Sequence, residues 1–146
     1  TMAAFRGSFR YFNTFGGNPV SVAAADAMLD VLEGEDLIEN ARVVGDYARD
    51  GLRALADRYD WIGDVRGAGL IFGAEIVTDR ETKAPATAYV KRVANEMRAR
   101  GVLMNFVGIH YNTLKIRPPM PFSKENADHM LDRLDDVLAT LGRPVD

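Results

Sequence analysis

The sequence predicts an α+β fold: a small three- to four-stranded, mostly antiparallel sheet with helices packed on one face, preceded by a long connecting helix. Three observations carry this expectation. Apolar residues recur at helical spacing in four segments. Between them lie short runs rich in Val, Ile, Leu and Phe, two of which are joined by a glycine-rich turn. The resulting order, helix, helix, strand, strand, helix, strand, strand, helix, holds no low-complexity linker and no internal repeat, and it points to a sheet–helix layer.

The first helix follows the stretch FNTFGGNPVS, residues 12–21. Gly16 and Gly17 permit positive φ, and Asn18 before Pro19 is a helix-start signal. From Pro19 to Glu33 the residues Val20, Ala23, Ala24, Ala27, Met28, Val31 and Leu32 form an apolar stripe, and Gly34 ends it. The alanine-rich face of this helix suits close packing against another domain or chain. A second helix is expected from about Glu35 to Tyr59, with Leu37, Ile38, Ala41, Val44, Ala48, Leu52, Leu55 and Tyr59 facing the core. Its charged residues Glu39, Arg42, Asp46, Arg49, Asp50 and Arg53 read as a solvated face laced with weak ion pairs.

The run WIGDVRGAGLIFGAEIV predicts two strands joined in a hairpin centred on Ala68, and TDRETKAP is a polar loop. Residues 86–100 return to helical spacing through Tyr89, Val90, Val93, Ala94 and Met97, with Gly101 at the C-terminal cap. VLMNF and TLKIR are strand candidates around the loop VGIHYN; Pro118 and Pro119 end the second, since neither can donate to a ladder. Ser123 caps the last helix, with Glu125 in its first turn and Ala127, Met130, Leu131, Leu134, Val137, Leu138 and Leu141 as its stripe.

Composition narrows the function. At 146 residues and 47% hydrophobic, the chain can bury a real core. The expected organisation is an interface segment and connecting helix over residues 1–33, then a small domain over 34–146. A net charge of −3, with 18 basic residues scattered among 21 acidic ones, argues against a nucleic-acid partner. The absence of cysteine removes disulfides and thiolate metal sites and fits a cytoplasmic location. No apolar run approaches the ~20 residues of a membrane span. His110 and His129 have no carboxylate at metal-ligand spacing, so no metal site is expected. There is no G-x-S-x-G, no Walker A sequence and no G-x-G-x-x-G after a strand.

Two positions stand out. Thr14 precedes a helix start, where free backbone N–H groups and its hydroxyl would suit a phosphate; the structural alternative is a capped turn with no ligand. Arg117 ends a strand and is locked by the following Pro-Pro, so its guanidinium would suit a carboxylate; the structural alternative is a salt bridge.

Taken together, YFNTFGGNPVSVAAADAMLDVL, IGDVRGAGLIFGAEIV, RGVLMN and LKIRPPMPFSKENADHMLDRLDDVL resemble the C-terminal part of class III (omega) aminotransferases, pyridoxal-phosphate enzymes of fold type I. The markers are T-F-x-G-N-P opening a helix, V-R-G-x-G-L at a hairpin and K-I-R-P-P before the last helix, and the likeness runs from about Tyr11 to Leu141. The resemblance implies that Thr14 hydrogen-bonds the cofactor phosphate held by a second subunit, and that Arg117 binds the substrate carboxylate. It also implies a homodimer, a large N-terminal domain as partner, and transfer of an amino group from an amine or amino acid to a 2-oxo acid. The Schiff-base lysine of the family belongs upstream of the T-F-x-G-N-P loop. Lys83, Lys91, Lys115 and Lys124 match other positions, so no catalytic residue is expected in this chain and it reads as a fragment, inactive alone. Phe5, Phe9, Tyr11, Phe12 and Phe15 would then mark an interface. The alternatives are an aminomutase or phospho-lyase of the same fold type, or a free-standing α+β binding module.

Overall fold

A computed structural model describes residues 2–8 and 11–145, so Phe9 lies outside the described residues. The chain divides into two compact units, Thr1–Glu35 and Asp36–Asp146.

The first unit holds helix α1 (Met2–Ser8), which the periodicity did not announce because seven residues are too few to show one, and helix α2 (Pro19–Gly34). Asn18 caps α2 from an extended conformation, its Oδ1 accepting the Ser21 N–H at 3.0 Å, with Pro19 in the first turn. None of the residues of α2 is buried. Tyr11, Phe12 and Phe15 are exposed, and the Tyr11 ring meets Phe5 edge-on at 6.3 Å.

In the second unit, α3 (Leu37–Arg58) leads into strands β1 (Ile62–Ala68) and β2 (Ile71–Ile76), then α4 (Thr87–Ala99), β3 (Asn105–Val107), β4 (Thr113–Ile116) and α5 (Lys124–Leu141). The four strands make one antiparallel sheet in the order β1-β2-β4-β3. Helix α3 packs over β1 and β2, α4 over β3 and β4, and α5 against both helices.

Strand alternation gives the sheet two unlike faces. Val65, Ala74, Leu114 and Phe106 lie side by side across the four strands and join the helices in the core. The next row, on the opposite face, is Arg66, Gly73, Lys115 and Asn105. Leu52, Ile62, Ile76, Met97, Leu114, Leu134 and Leu138 are fully enclosed; burying such a side chain contributes about 1.5–3 kcal/mol each. Tyr89 closes the core's far end by donating to the Gly142 carbonyl at 2.7 Å, and burial pushes its hydroxyl up to about 12.

The structure corrects four expectations. The hairpin turns at Gly69 and Leu70 rather than at Ala68, because Ala68 still pairs with Ile71 and it is Gly69 that takes φ +51°. Arg49 is buried rather than solvated: it donates to the Gly69 carbonyl at 2.9 Å and pairs with Asp46, tying α3 to that turn. Gly45, one turn earlier, lets the same carbonyl approach the helix backbone. Ile38 is exposed, since the stripe starting at Leu37 passes it by about 100° of helix rotation. Strand β3 begins at Asn105, three residues later than VLMNF suggests, because the Val102 N–H reaches back 2.9 Å to the Met97 carbonyl across Gly101 at φ +84°. That stretch finishes the helix before it can pair.

Candidate functional site

Thr14 sits in the turn ahead of α2, exposed, its hydroxyl making no hydrogen bond among the described residues. The backbone donors beside it are less free than expected. Asn13 Oδ1 accepts from the Phe15 and Gly16 N–H groups at 3.2 and 3.1 Å, and Asn18 takes the Ser21 N–H. The two asparagines hold the loop's shape with their own side chains. Of the loop's polar side chains, Thr14 is the one left without a partner among the described residues.

In the second unit, Arg117 follows the last residue of β4 and precedes Pro118, which restricts it to extended backbone. It is exposed and has no ion pair or hydrogen bond among the described residues, so the structural salt bridge considered for it is not formed. Its surroundings are held from both sides. Asn40 of α3 donates from Nδ2 to the carbonyls of Met120 and Phe122 at 2.8 and 3.0 Å, pinning the segment after the prolines. Ser123 and Asn126 then form a reciprocal capping box that starts α5.

Arg117 borders a cavity of about 360 Å³ between the end of β4, the segment after α4 and the first turns of α5. Leu103, Met104, Phe122 and Met130 give it apolar walls; Lys115, Asn126 and His129 add polar ones. A neighbouring hollow shares Arg117 and Lys115 and adds Arg98, Asn95 and Asn105. Lys115 also borders a third hollow, over Gly73, on the sheet face opposite the helices. A side chain at Gly73 would place its Cβ 2.5 Å from the Leu114 carbonyl, so this part of the face stays bare.

The nearby carboxylates are already committed. Arg66 donates to Asp64 at 2.5 Å and Glu75 at 2.6 Å, and these bonds, Asp64's first, raise the guanidinium's affinity for its proton. Lys115, which sequence reasoning noted only as a lysine in the wrong place for a Schiff base, has no such partner among the described residues. The period-two spacing from Arg117 is the signal that finds it. Two of the other lysines differ: Lys83 donates to the Gly63 carbonyl at 3.0 Å, and the Lys124 ammonium lies over the Tyr47 ring.

The family model described as aminotransferase class-III matches residues 2–138. An alanine–glyoxylate aminotransferase 2 homolog of Arabidopsis thaliana is 46% identical over 125 residues, 86% of this chain and 26% of that protein. A phospholyase from Arthrobacter, solved in complex with phosphoethanolamine, superposes with a TM-score of 0.89 at 43% identity, over 97% of this chain and 33% of its own. An amine transaminase from an uncultivated Pseudomonas species, solved with pyridoxal phosphate bound, gives 0.82 at 34% identity, over 94% and 31%. The chain thus spans about a quarter to a third of the length of these relatives.

Proposed function

Since the chain belongs to the class III aminotransferase family, we propose that it forms one wall of the substrate site in a pyridoxal-phosphate-dependent aminotransferase, as the C-terminal part of a longer protein. In this reading residues 1–33 form an interface segment and connecting helix, residues 34–146 are the small domain, and the enzyme is a cytoplasmic homodimer. The observation that carries the role of the wall is Arg117: an exposed guanidinium at a cavity rim, with no partner among the described residues.

The donor set fits a peripheral share in the cofactor. The unpartnered Thr14 hydroxyl suits one phosphate oxygen, donated across a subunit boundary, and the two asparagines that stiffen its loop limit the entropy lost on binding. The electron sink for breaking a bond at the amine-bearing carbon is the chemistry that pyridoxal phosphate supplies when bound. The share of Arg117 is to bind and orient the substrate's anionic end, leaving the amine turned towards the cofactor. Its strand-end position and pre-proline backbone reduce the freedom the fork loses on pairing. Leu103, Met104 and Phe122 set apolar surface beside that contact. A second reading, a phospho-lyase, is favoured by the likeness to the Arthrobacter enzyme, whose superposition covers nearly the whole chain.

The test is Arg117→Ala in the full-length protein. A charge-assisted hydrogen bond is worth about 1.5–3 kcal/mol, so kcat/KM for a carboxylate-bearing substrate should fall about 10- to 100-fold. An amine lacking the carboxylate should lose much less. Equal losses for both substrates would remove Arg117 from the site.

A further inference from the structure

We infer that Asn40, on α3 and outside the cavity, is a positioning residue that sets where the Arg117 guanidinium stands. This rests on the reading that Arg117 binds the substrate's anionic end, and it adds a residue that touches no substrate.

From Arg117 to Phe122 the chain reads RPPMPF. Proline has a fixed φ and no N–H, so this stretch is stiff and cannot continue the ladder of β4. Its upstream end is fixed where Ile116 pairs with Phe72 of β2. Its downstream end contains one turn of its own, the Phe122 N–H donating to the Pro119 carbonyl at 3.1 Å. What fastens that end to another element is the Asn40 amide, which donates from Nδ2 to the carbonyls of Met120 at 2.8 Å and Phe122 at 3.0 Å, across 80 and 82 residues of sequence. No other side chain among the described residues hydrogen-bonds the backbone of residues 117–122. A stiff segment held at both ends has one course, and Arg117 lies between the two holds.

The amide suits this task. One NH2 group has two hydrogens for the two carbonyls, and two facing acceptors settle which end of the amide points at them. An aspartate of the same size would set oxygen against oxygen, and an alanine would offer no donor.

Removing the tie leaves most of what holds the region. Phe122 still packs against the core, the Ser123–Asn126 box still starts α5, and α3 keeps Ala48, Leu52 and the bond from Arg49 to Gly69. What is released is Met120, and with it the prolines and Arg117. Arg117, Pro118, Pro119 and Phe122 border the cavity of about 360 Å³, whereas Asn40 borders neither of the cavities that Arg117 does. Asn40 therefore acts on the site through the backbone, from behind the wall. Arg117 has no ion pair or hydrogen bond among the described residues, so its place is set by that backbone.

Calorimetry on the full-length holoenzyme tests this, with L-alanine and with isopropylamine, in which a methyl group replaces the carboxylate. Wild type should prefer L-alanine. Asn40→Ala and Asn40→Asp should each raise the dissociation constant of L-alanine about 10-fold and that of isopropylamine less than about twofold. In an Arg117→Ala background the same changes should move L-alanine less than about twofold, because the group they position is gone. An Asn40 variant with the wild-type preference overturns the assignment. So does one that weakens both ligands alike, or that weakens L-alanine equally with and without Arg117; Asn40 is then a structural tie only. Failure of both Asn40 variants to fold leads to the same conclusion. A wild-type holoenzyme that binds the two ligands equally, or neither, overturns the Arg117 reading itself, and that result needs no Asn40 variant.

Discussion

Replacing Gly45 by alanine tests how α3 docks on the hairpin. A Cβ at Gly45 would lie 2.0 Å from the Gly69 oxygen and 2.4 Å from its carbonyl carbon. Ordinary C···O contacts lie near 3.3 Å, so helix and turn must part by roughly 1 Å. The obstacle is backbone, which no rotamer change can move aside. Separation also strains the 2.9 Å bond from Arg49 to the same oxygen. Overpacking costs about 1–3 kcal/mol and a lost charged hydrogen bond about 1.5–3, against about 1 gained from alanine's helix propensity. The net expectation is a destabilisation of about 1.5–5 kcal/mol. Gly51 is the control. Its Cβ would meet Leu131 Cδ1 at 2.3 Å, but that is a side-chain end on a half-buried residue and can turn away. Gly51→Ala should therefore stay within about 1 kcal/mol of wild type. Urea titration followed by far-UV circular dichroism measures both, read as a shift in midpoint at constant slope. A Gly45→Ala chain as stable as wild type, or a Gly51→Ala chain more damaged than it, would refute the reasoning.

Two further outcomes concern the helices. The Arg58 guanidinium, with the Tyr59 hydroxyl, holds the Asp135 carboxyl below the usual carboxylate range. The stabilisation is therefore complete above the unfolded value of about 3.9 and is lost as pH falls through the lower folded one. Asp135→Asn should lower the melting temperature at neutral pH, and the difference from wild type should vanish under acid; a constant difference would exclude the linkage. Ser123→Ala removes the acceptor of the Asn126 N–H and should cost about 1 kcal/mol in a urea titration, with Ser123→Asp retaining most of it.

Legibility in the sequence followed the strength of each physical signal. The stripes of α3, α4 and α5 repeat over several turns, so periodicity alone located them and most of their buried apolar residues. Arg49 was misplaced because a charged residue on a helix reads as solvated; its burial depends on a carbonyl twenty residues away in the hairpin turn. The late start of β3 arises because Val102 belongs to two patterns, strand and helix cap, and the hydrogen bond to Met97 decides between them. Spacing singles out Thr14 in the first unit and Arg117 in the second, and the family resemblance implies their roles. Lys115 shows in the sequence only as a lysine outside a Schiff-base context. Its relation to Arg117 appears once strand register and the empty position at Gly73 are known.

The two unlike faces of the sheet bear on how such a domain can vary without losing its fold. Val65, Ala74, Leu114 and Phe106 belong to the packing that holds the fold, and altering them risks the molecule. Lys115 and Arg117 are bonded to nothing else among the described residues, so exchanging them spends little stability. Because adjacent strand positions serve opposite faces, a scaffold of this kind can exchange the residues of its bare face one at a time while its interior stays as it was. A transaminase and a phospholyase can thus share this architecture.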